Sequence, residues 1–338
     1  MNFLNSQIKL LNETHLEEIK KLDERIQMRS SLFSLHTMHL PDPIEMIQRK
    51  SESFFCYGFF IRNQIEGYAV IYREKRFVEG KETLVWSAGR VRLSKKAFGL
   101  GFLLRLSEEA KVKSWFQGHG YAYTLKGNKE IENYISRSFK KFPSFPIMQL
   151  SKSNTVFIKP TCFPFASKRA LDQNLEIQKT DASNNEKFLS FLLEEHSHYH
   201  LGRVYSKEYL DRLNTLPGAT WFTATENGVL KGALFAWDSF QRNPSTVQIS
   251  KYSWQPKIIS ISEFAVKNNE KTTWLSLLEK VRSHAKEKRI SWIQCGGDES
   301  HPLHHIVKFP KLQIHSHLLE FNSKETTPLL HWCDSDLF

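Results

Sequence analysis

The sequence predicts an α+β protein made of two similar α/β units in tandem, each a mixed, mostly antiparallel central sheet flanked by helices. Three observations predict it. The length of 338 residues holds two domains of ordinary size. Strand-like and helix-like segments alternate through residues 8–160, and the same order of elements starts again at 175. Two hairpins also repeat in kind, NQIEGYAVIY (63–72) and NGVLKGALFAW (227–237). The expected boundaries are 1–162 for the first unit, 163–174 for a proline-containing linker, and 175–338 for the second.

In the first unit IKLLN (8–12) reads as a strand, and Thr14 as the cap of a helix with Glu17 in the capping-box position. PDPIEMIQRKS reads as a second helix with proline near its start. Residues 54–77 are rich in aromatic and β-branched side chains and break at Arg62-Asn63-Gln64, which predicts two strands joined by a tight turn. ETLVWSAGRVRLS (82–94) is a further strand. The loop KKAFGLG (95–101), a helix over 102–116, the strand YAYTL, the polar helix NKEIENYISRSF and the strands IMQLS and TVFIKPT complete the unit. The second unit reads as strand 175–180, helices over NNEKFLSFLLEEHSHYH and SKEYLDRLNT, hairpin 221–240, strand 259–266, helix 274–288 and strands 291–296 and 313–321. Trp221, Trp237 and Trp254 are expected in the core.

Lysine and arginine exceed aspartate and glutamate by 47 to 36, a net charge of +11. Such a balance attracts phosphate-bearing ligands, but the positive residues are scattered in short clusters, which favours an enzyme with an anionic ligand over a nucleic-acid binder. The 4 cysteines include no CxxC pair, which argues against a zinc ribbon or a disulfide framework; Cys56 and Cys295 sit in apolar runs as buried thiols. No apolar run approaches the ~18 residues of a transmembrane helix, so the expectation is a cytoplasmic protein without a membrane partner.

KKAFGLG places a basic pair and two glycines at the entrance of a helix. Helix entrances bind anions through free N–H groups, and glycine lets the backbone approach a phosphate. A tight strand-to-helix turn explains the same glycines. The loop is not a Walker motif, and it lacks the third glycine of a dinucleotide fingerprint.

In its setting, the segment Lys96-Ala97-Phe98-Gly99-Leu100-Gly101 resembles the Gln/Arg-x-x-Gly-x-Gly/Ala signature of the GNAT superfamily of N-acetyltransferases, with lysine at the first position. Asn128, followed by Tyr134-Ile135-Ser136-Arg137-Ser138-Phe139, is similar to the family's later Asn and Tyr-x-x-x-Gly-Phe segment, with serine in place of glycine. The resemblance implies acetyl-CoA, or another acyl-CoA, as cofactor. Backbone groups of Val91 and Leu93 would hold the pantetheine arm. Lys96, Ala97, Phe98, Gly99, Leu100 and Gly101 would hold the pyrophosphate, the amides of Phe98 to Gly101 above all, with Asn128 downstream. It implies direct attack by an acceptor amine, small molecule or peptide, on the thioester, with Tyr134 as the acid that protonates the departing thiolate. Glu82 and Glu79 are the candidate bases; both also read as solvated turn residues.

VKNNEKTTW (266–274) stands where KKAFGLG would recur in the second unit. It has no glycine, and Glu270 would repel a phosphate, so one cofactor per chain is expected. A tandem with one competent half is similar to mycothiol synthase and to the Fem-type aminoacyl transferases. Transfer from charged tRNA, or a non-catalytic binding role, are therefore the alternatives to acyl transfer. His196 and His200 are four apart, as in metal-binding helices, but no HExxH accompanies them and no metal is expected. Glu194 and Glu195 read as a solvated helix face, with acceptor binding as the alternative, and His315 and His317 as same-side residues of a strand that could wall a pocket.

Overall fold

The computed structural model describes residues 6–26, 28–29, 34–37, 51–99, 101–116, 118–125, 147–161, 174–180, 185–298 and 311–321. The expected helices over PDPIEMIQRKS and NKEIENYISRSF, nearly all of the expected linker, and Leu100, Asn128 and Tyr134 lie outside these residues.

The first half opens with β1 (Ser6–Leu10), α1 (Leu16–Arg25), β2 (Met28–Arg29) and β3 (Ser34–Thr37). Thr14 is not the cap. Asn12 is, because its carboxamide oxygen accepts from both the Thr14 backbone and the Thr14 hydroxyl, and a short 3-10 turn then leads into α1. β4 (Ser53–Ile61) and β5 (Gln64–Val78) form the expected hairpin, with Arg62 and Asn63 both at left-handed φ, as a two-residue turn demands. β6 (Lys81–Leu93) follows. The expected loop is then largely helical: α2 (Lys95–Gly99) starts at once. The expected helix 102–116 divides into α3 (Phe102–Ser107) and α4 (Ala110–Trp115). β7 (Gly120–Leu125) and β8 (Ile147–Ile158) complete the half, β8 being one strand where two were expected.

The second half comprises β9 (Glu176–Thr180), α5 (Glu186–Ser197), β10 (Gly202–Arg203), α6 (Lys207–Asn214), β11 (Thr220–Glu226), β12 (Val229–Asp238), β13 (Ser245–Ile249), β14 (Tyr252–Trp254), β15 (Ile258–Val266), α7 (Lys271–Glu287), β16 (Trp292–Asp298) and β17 (Lys311–Phe321). Asn185 and Ser206 cap α5 and α6 through their side-chain oxygens.

One 13-stranded sheet runs through both halves in the order β1-β4-β5-β6-β7-β17-β8-β16-β15-β12-β11-β9, and β10 pairs β5 off this path. All ladders are antiparallel except β6·β7 and β15·β16. The order reads alike from both ends, with β17 and β8 at its centre. β17, the last described strand, stands on the first half's side, between β7 and β8. β8 in turn stands between β17 and β16 of the second half. The segments 1–162 and 175–338 therefore divide the chain but not the sheet. A 4-stranded sheet, β14-β13-β3-β2, joins the halves again.

Strand alternation gives each half two apolar faces. Tyr68, Val70 and Tyr72 of β5 pack with Ile19 and Leu22 of α1, whereas Ala69 and Ile71 pack with Ala97, Phe102, Leu106 and Val112 beneath α2–α4. In the second half Leu234 and Ala236 face Trp274, Leu277 and Val281 of α7; Phe235 and Trp237 face Phe188, Leu192 and Leu213 of α5 and α6. Trp221 and Trp237 are core residues as expected, and Cys56 and Cys295 are buried. Trp254 is not in the core. It lies on the edge strand β14, every residue of which is exposed.

Four buried charges hold the halves together. Arg203 of β10 bonds Glu74 of β5 at 3.0 Å and lies 3.3 Å from Glu263 of β15; Arg76 bonds Glu74 at 2.8 Å. The two positive and two negative groups balance, and hydroxyl donors complete the set: Tyr121 to Glu74, and Tyr205 (2.8 Å) and Tyr209 (2.6 Å) to Glu263. Burial and the Glu263 carboxylate push the Tyr205 pKa well up, so it remains a donor.

Candidate functional site

The site starts where two parallel strands part. β6 and β7 pair through Trp86↔Gly120, Ser87↔Tyr121 and Ala88↔Ala122 and no further, although β6 runs on to Leu93 and β7 to Leu125. The contact that seats them is Gly120 against the Trp86 ring; a Cβ at Gly120 would come 2.0 Å from Trp86 Cε2. Beyond the last pair the chains splay, leaving the β7-facing edge of β6 without a described strand partner.

At the splay β6 carries a bulge. Tyr68 pairs Arg92 and Val70 pairs Gly89, so Arg90 and Val91 together oppose Ala69. Arg90 has φ +50°, a left-handed conformation that costs a non-glycine residue about 1 kcal/mol or more. Val91 and Leu93 pack on the α2–α4 face. Arg90 turns to the other face, where its electrostatic neighbours are Tyr68, Arg92, Asp23 and Tyr72. The Tyr68 hydroxyl donates to Asp23 Oδ1 at 2.8 Å, and Arg92 Nε lies 3.7 Å from the same oxygen. Burial lowers the Arg90 pKa and, with the Asp23 carboxylate, pushes that of Tyr68 well up.

β6 runs straight into the glycine segment. Ser94 N–H donates to Glu66 O, and the Ser94 hydroxyl accepts from Ala97 N–H at 3.2 Å. Phe98 N–H donates to Ser94 O, and Gly101 N–H donates to Phe98 O. The amides of Phe98 and Gly101, expected to hold a pyrophosphate, are thus bonded within the chain and would have to open to do so. Lys96 Nζ, also expected there, lies 3.6 Å from Glu66 Oε1. Gly101 has φ +68°, which the turn from α2 to α3 requires. Gly99 is different. It has no left-handed φ, and a Cβ added to it would meet no atom within 4 Å. Neither backbone strain nor packing demands glycine there.

Glu82 is not brought to this place. It stands at the start of β6, and the steps from 82 to 91 span roughly 30 Å of strand. It lines instead a cleft of about 400 Å³ between the halves with Glu52, Lys75, Arg203, Glu208 and Tyr209. Glu79, the other candidate base, lies in the β5–β6 turn before it, at left-handed φ.

The second half keeps the splay and the bulge but partners the charge at the bulge and the segment that follows β15. β15 and β16 pair from Ile258↔Trp292 to Ile261↔Cys295 and then part; Phe235 pairs Glu263 and Ala236 pairs Ile261, which leaves Ser262 as the extra residue. Here the charge at the bulge, Glu263, is saturated by Arg203, Tyr205 and Tyr209. In the segment matching KKAFGLG, the Asn268 backbone N–H donates to the Glu195 carboxylate, and the Tyr199 hydroxyl donates to Asn269. An internal carboxylate thus stands where a ligand anion would. Glu195 is buried rather than solvated, and burial raises its pKa.

His196 and His200 are not a ligand pair. His200 lies beyond the end of α5. His196 is fully buried: its Nδ1 accepts from Arg203 N–H, so Nε2 carries the proton toward Phe264 O and Tyr205 Oη. Among the described residues no group of histidine, cysteine and carboxylate side chains could hold a metal, and no helix is long and apolar enough to cross a membrane. His301, His304 and His305 lie outside the described residues; His315 and His317 stand two apart on β17, where only the backbone is described.

No family model and no curated protein matches the sequence. Solved structures do match. Saccharomyces cerevisiae N-myristoyltransferase with bound myristoyl-CoA superposes with a TM-score of 0.67 at 10% identity, over 96% of this chain and 80% of that one. A GCN5-related N-acetyltransferase from Anabaena variabilis gives 0.55 at 12% identity, over 93% and 72%. A probable N-acyltransferase from Enterococcus faecalis gives 0.54 at 12% identity, over 93% and 71%. The parting of β6 from β7, its repetition at β15 and β16, and these superpositions together establish that the chain has the GNAT fold in tandem.

Proposed function

We propose that the chain is an acyltransferase that moves an acyl group from coenzyme A to an amine by direct attack, using its first half. The observation that carries this reading is the β6–β7 splay, bulged at Arg90–Val91 and leading directly to the open flank of Gly99. A thioester laid in the splay would find the β7-facing backbone edge at Val91 and Leu93, where Val91 O accepts from Arg92 Nη1 at 3.4 Å, and its pyrophosphate would lie against Gly99. In this reading Lys96, Ala97, Phe98, Leu100, Gly101 and Asn128 are the residues that hold it, Tyr134 gives its proton to the leaving thiolate, and the attacking amine releases its own proton to solvent, from which Tyr134 is reprotonated. No enzyme nucleophile is needed; positioning and a polarised carbonyl supply the rate. Glu82 is too remote to be the base. Acetyl-CoA is the proposed donor. The N-myristoyltransferase structures hold myristoyl-CoA, which makes a long acyl chain the comparison to run.

Calorimetric titration with coenzyme A, acetyl-CoA and myristoyl-CoA tests the reading. Gly99→Asp should weaken all three by at least about tenfold through charge repulsion at close range, with little change in melting temperature because a Cβ added there meets no atom within 4 Å. Failure of the wild-type chain to bind any of them at millimolar concentration, or indifference to Gly99→Asp, would overturn it.

A further inference from the structure

The two bulges differ in two respects. In the second half the buried charge at the bulge is fully partnered, and Ser262 has no left-handed φ. In the first half Arg90 is left-handed, and its Nη1 is shut off from solvent with no hydrogen-bond partner. Arg90 and Arg92 lie with one buried carboxylate, Asp23, so the described cluster carries one positive charge in excess. The Oδ1 of Asp23 is already engaged by Tyr68 and Arg92. A strained backbone that holds a guanidinium with one buried, unpartnered nitrogen on the α1 side of the splay is destabilising twice over, by conformation and by desolvation. Glycine would remove both defects. A ligand anion would remove the second.

We propose that Arg90 binds a carboxylate of the acceptor, so that the acceptor class is amines carrying their own carboxylate: amino acids or short peptides. A guanidinium matches a carboxylate with two parallel hydrogen bonds, and its place beside Val91 sets the carboxylate next to where the thioester would lie. An amine within a few bonds of that carboxylate then reaches the carbonyl. The inference rests on the acyl-transfer reading for its purpose, but the binding step can be tested separately.

The experiment is thermal unfolding of the full chain, with and without saturating coenzyme A, in millimolar glycine, leucine, lysine, glutamate or glycylleucine, and in the α-amide of each. At least one free acid should raise the melting temperature while its amide does not, and the amino acids against the dipeptide tell the two sources apart. Arg90→Gly should weaken that acid roughly 10- to 100-fold, the worth of a charged hydrogen bond. Its own melting temperature should match or exceed that of wild type, which separates lost recognition from lost fold. Arg90→Lys, which keeps the charge, should retain part of the affinity. Three outcomes would overturn the proposal: no acid stabilises, acid and amide act alike, or Arg90→Gly responds as wild type does. Selective loss of succinyl-CoA relative to acetyl-CoA in Arg90→Gly, with amino acids unaffected, would place the carboxylate on the acyl group and overturn it too. A chain that ignores coenzyme A yet tells acid from amide through Arg90 would sink the transfer reading and leave this one standing.

Discussion

His284 illustrates how a single buried ring sets a pH dependence. It lies on α7 against Phe222, and its Nδ1 accepts from Lys179 Nζ at 3.1 Å, so the neutral ring is the one the fold holds. Burial, with Lys179 and Lys288 adding to it, lowers its pKa from 6.5 to about 4. The folded value is depressed, so between pH 4 and 6.5 the unfolded chain binds a proton that the folded chain does not. This contribution to stability is complete above the unfolded pKa, falls as pH drops through that window, and levels off below it. Urea unfolding midpoints measured across pH 4–7 should therefore fall on the acid side. His284→Leu should flatten that part of the curve, and an unchanged slope in the variant would refute the assignment. Other residues repeat the lesson that spacing does not show environment. The His196–His200 interval suits a metal helix, yet α5 ends between the two and the Arg203 amide occupies His196 Nδ1. Trp254 has a core residue's composition and an edge strand's surroundings.

Among elements, those with strong local patterns were legible. The β4–β5 hairpin followed from apolar runs about Arg62-Asn63, and β11, β12, β15 and α7 from period and length. The segment 95–99 was misread as loop because glycines signal a break, whereas the Ser94 hydroxyl supplies the cap that turns it into helix at once. β8 read as two strands because SKSN (151–154) is polar. The ladders from β17 and β16 on either side nevertheless carry it through. Short strands such as β2, β3 and β10 have no pattern of their own; pairing across the halves makes β3 and β10, and β2 forms against β3. The splay is also non-local, since it depends on where β6 and β7 cease to pair. Its lower end is fixed by Gly120 beneath Trp86, whose indole N–H donates to Gly118 O at 2.9 Å. Gly120→Ala must displace that buried ring and should cost about 2–3 kcal/mol in urea unfolding. A loss under half of that would show that the strands can seat without the contact.

At the scale of the whole molecule, the halves are bound by exchange rather than by a face. β17 belongs to the chain's second half, yet it forms ladders to β7 and β8, and β8 pairs β16. The tandem plan could be read from repeated element order, but this exchange could not, because nothing in a strand's own sequence says which neighbours it will have. The buried quartet adds to the coupling. Arg203→Met would leave Glu74 with Arg76 alone and strand Glu263 without its arginine, at a cost of about 3–5 kcal/mol. It should lower the melting temperature as one transition, and two separate transitions would show the halves to be independent. The exchange makes a sharper demand. Residues 1–162 alone would present the long edges of β7 and β8 without β17, and residues 175–338 alone would leave β16 and β17 without the strand between them. Unpaired central edges aggregate or stay unfolded. Each half expressed by itself should therefore lack a cooperative unfolding transition, whereas the two co-expressed should purify together and unfold as one. Cutting within 163–174 leaves every described ladder intact, so the cut chain should keep whatever coenzyme A response the intact chain shows. A folded, monomeric first half that binds coenzyme A without the second would overturn the exchange as a condition of folding.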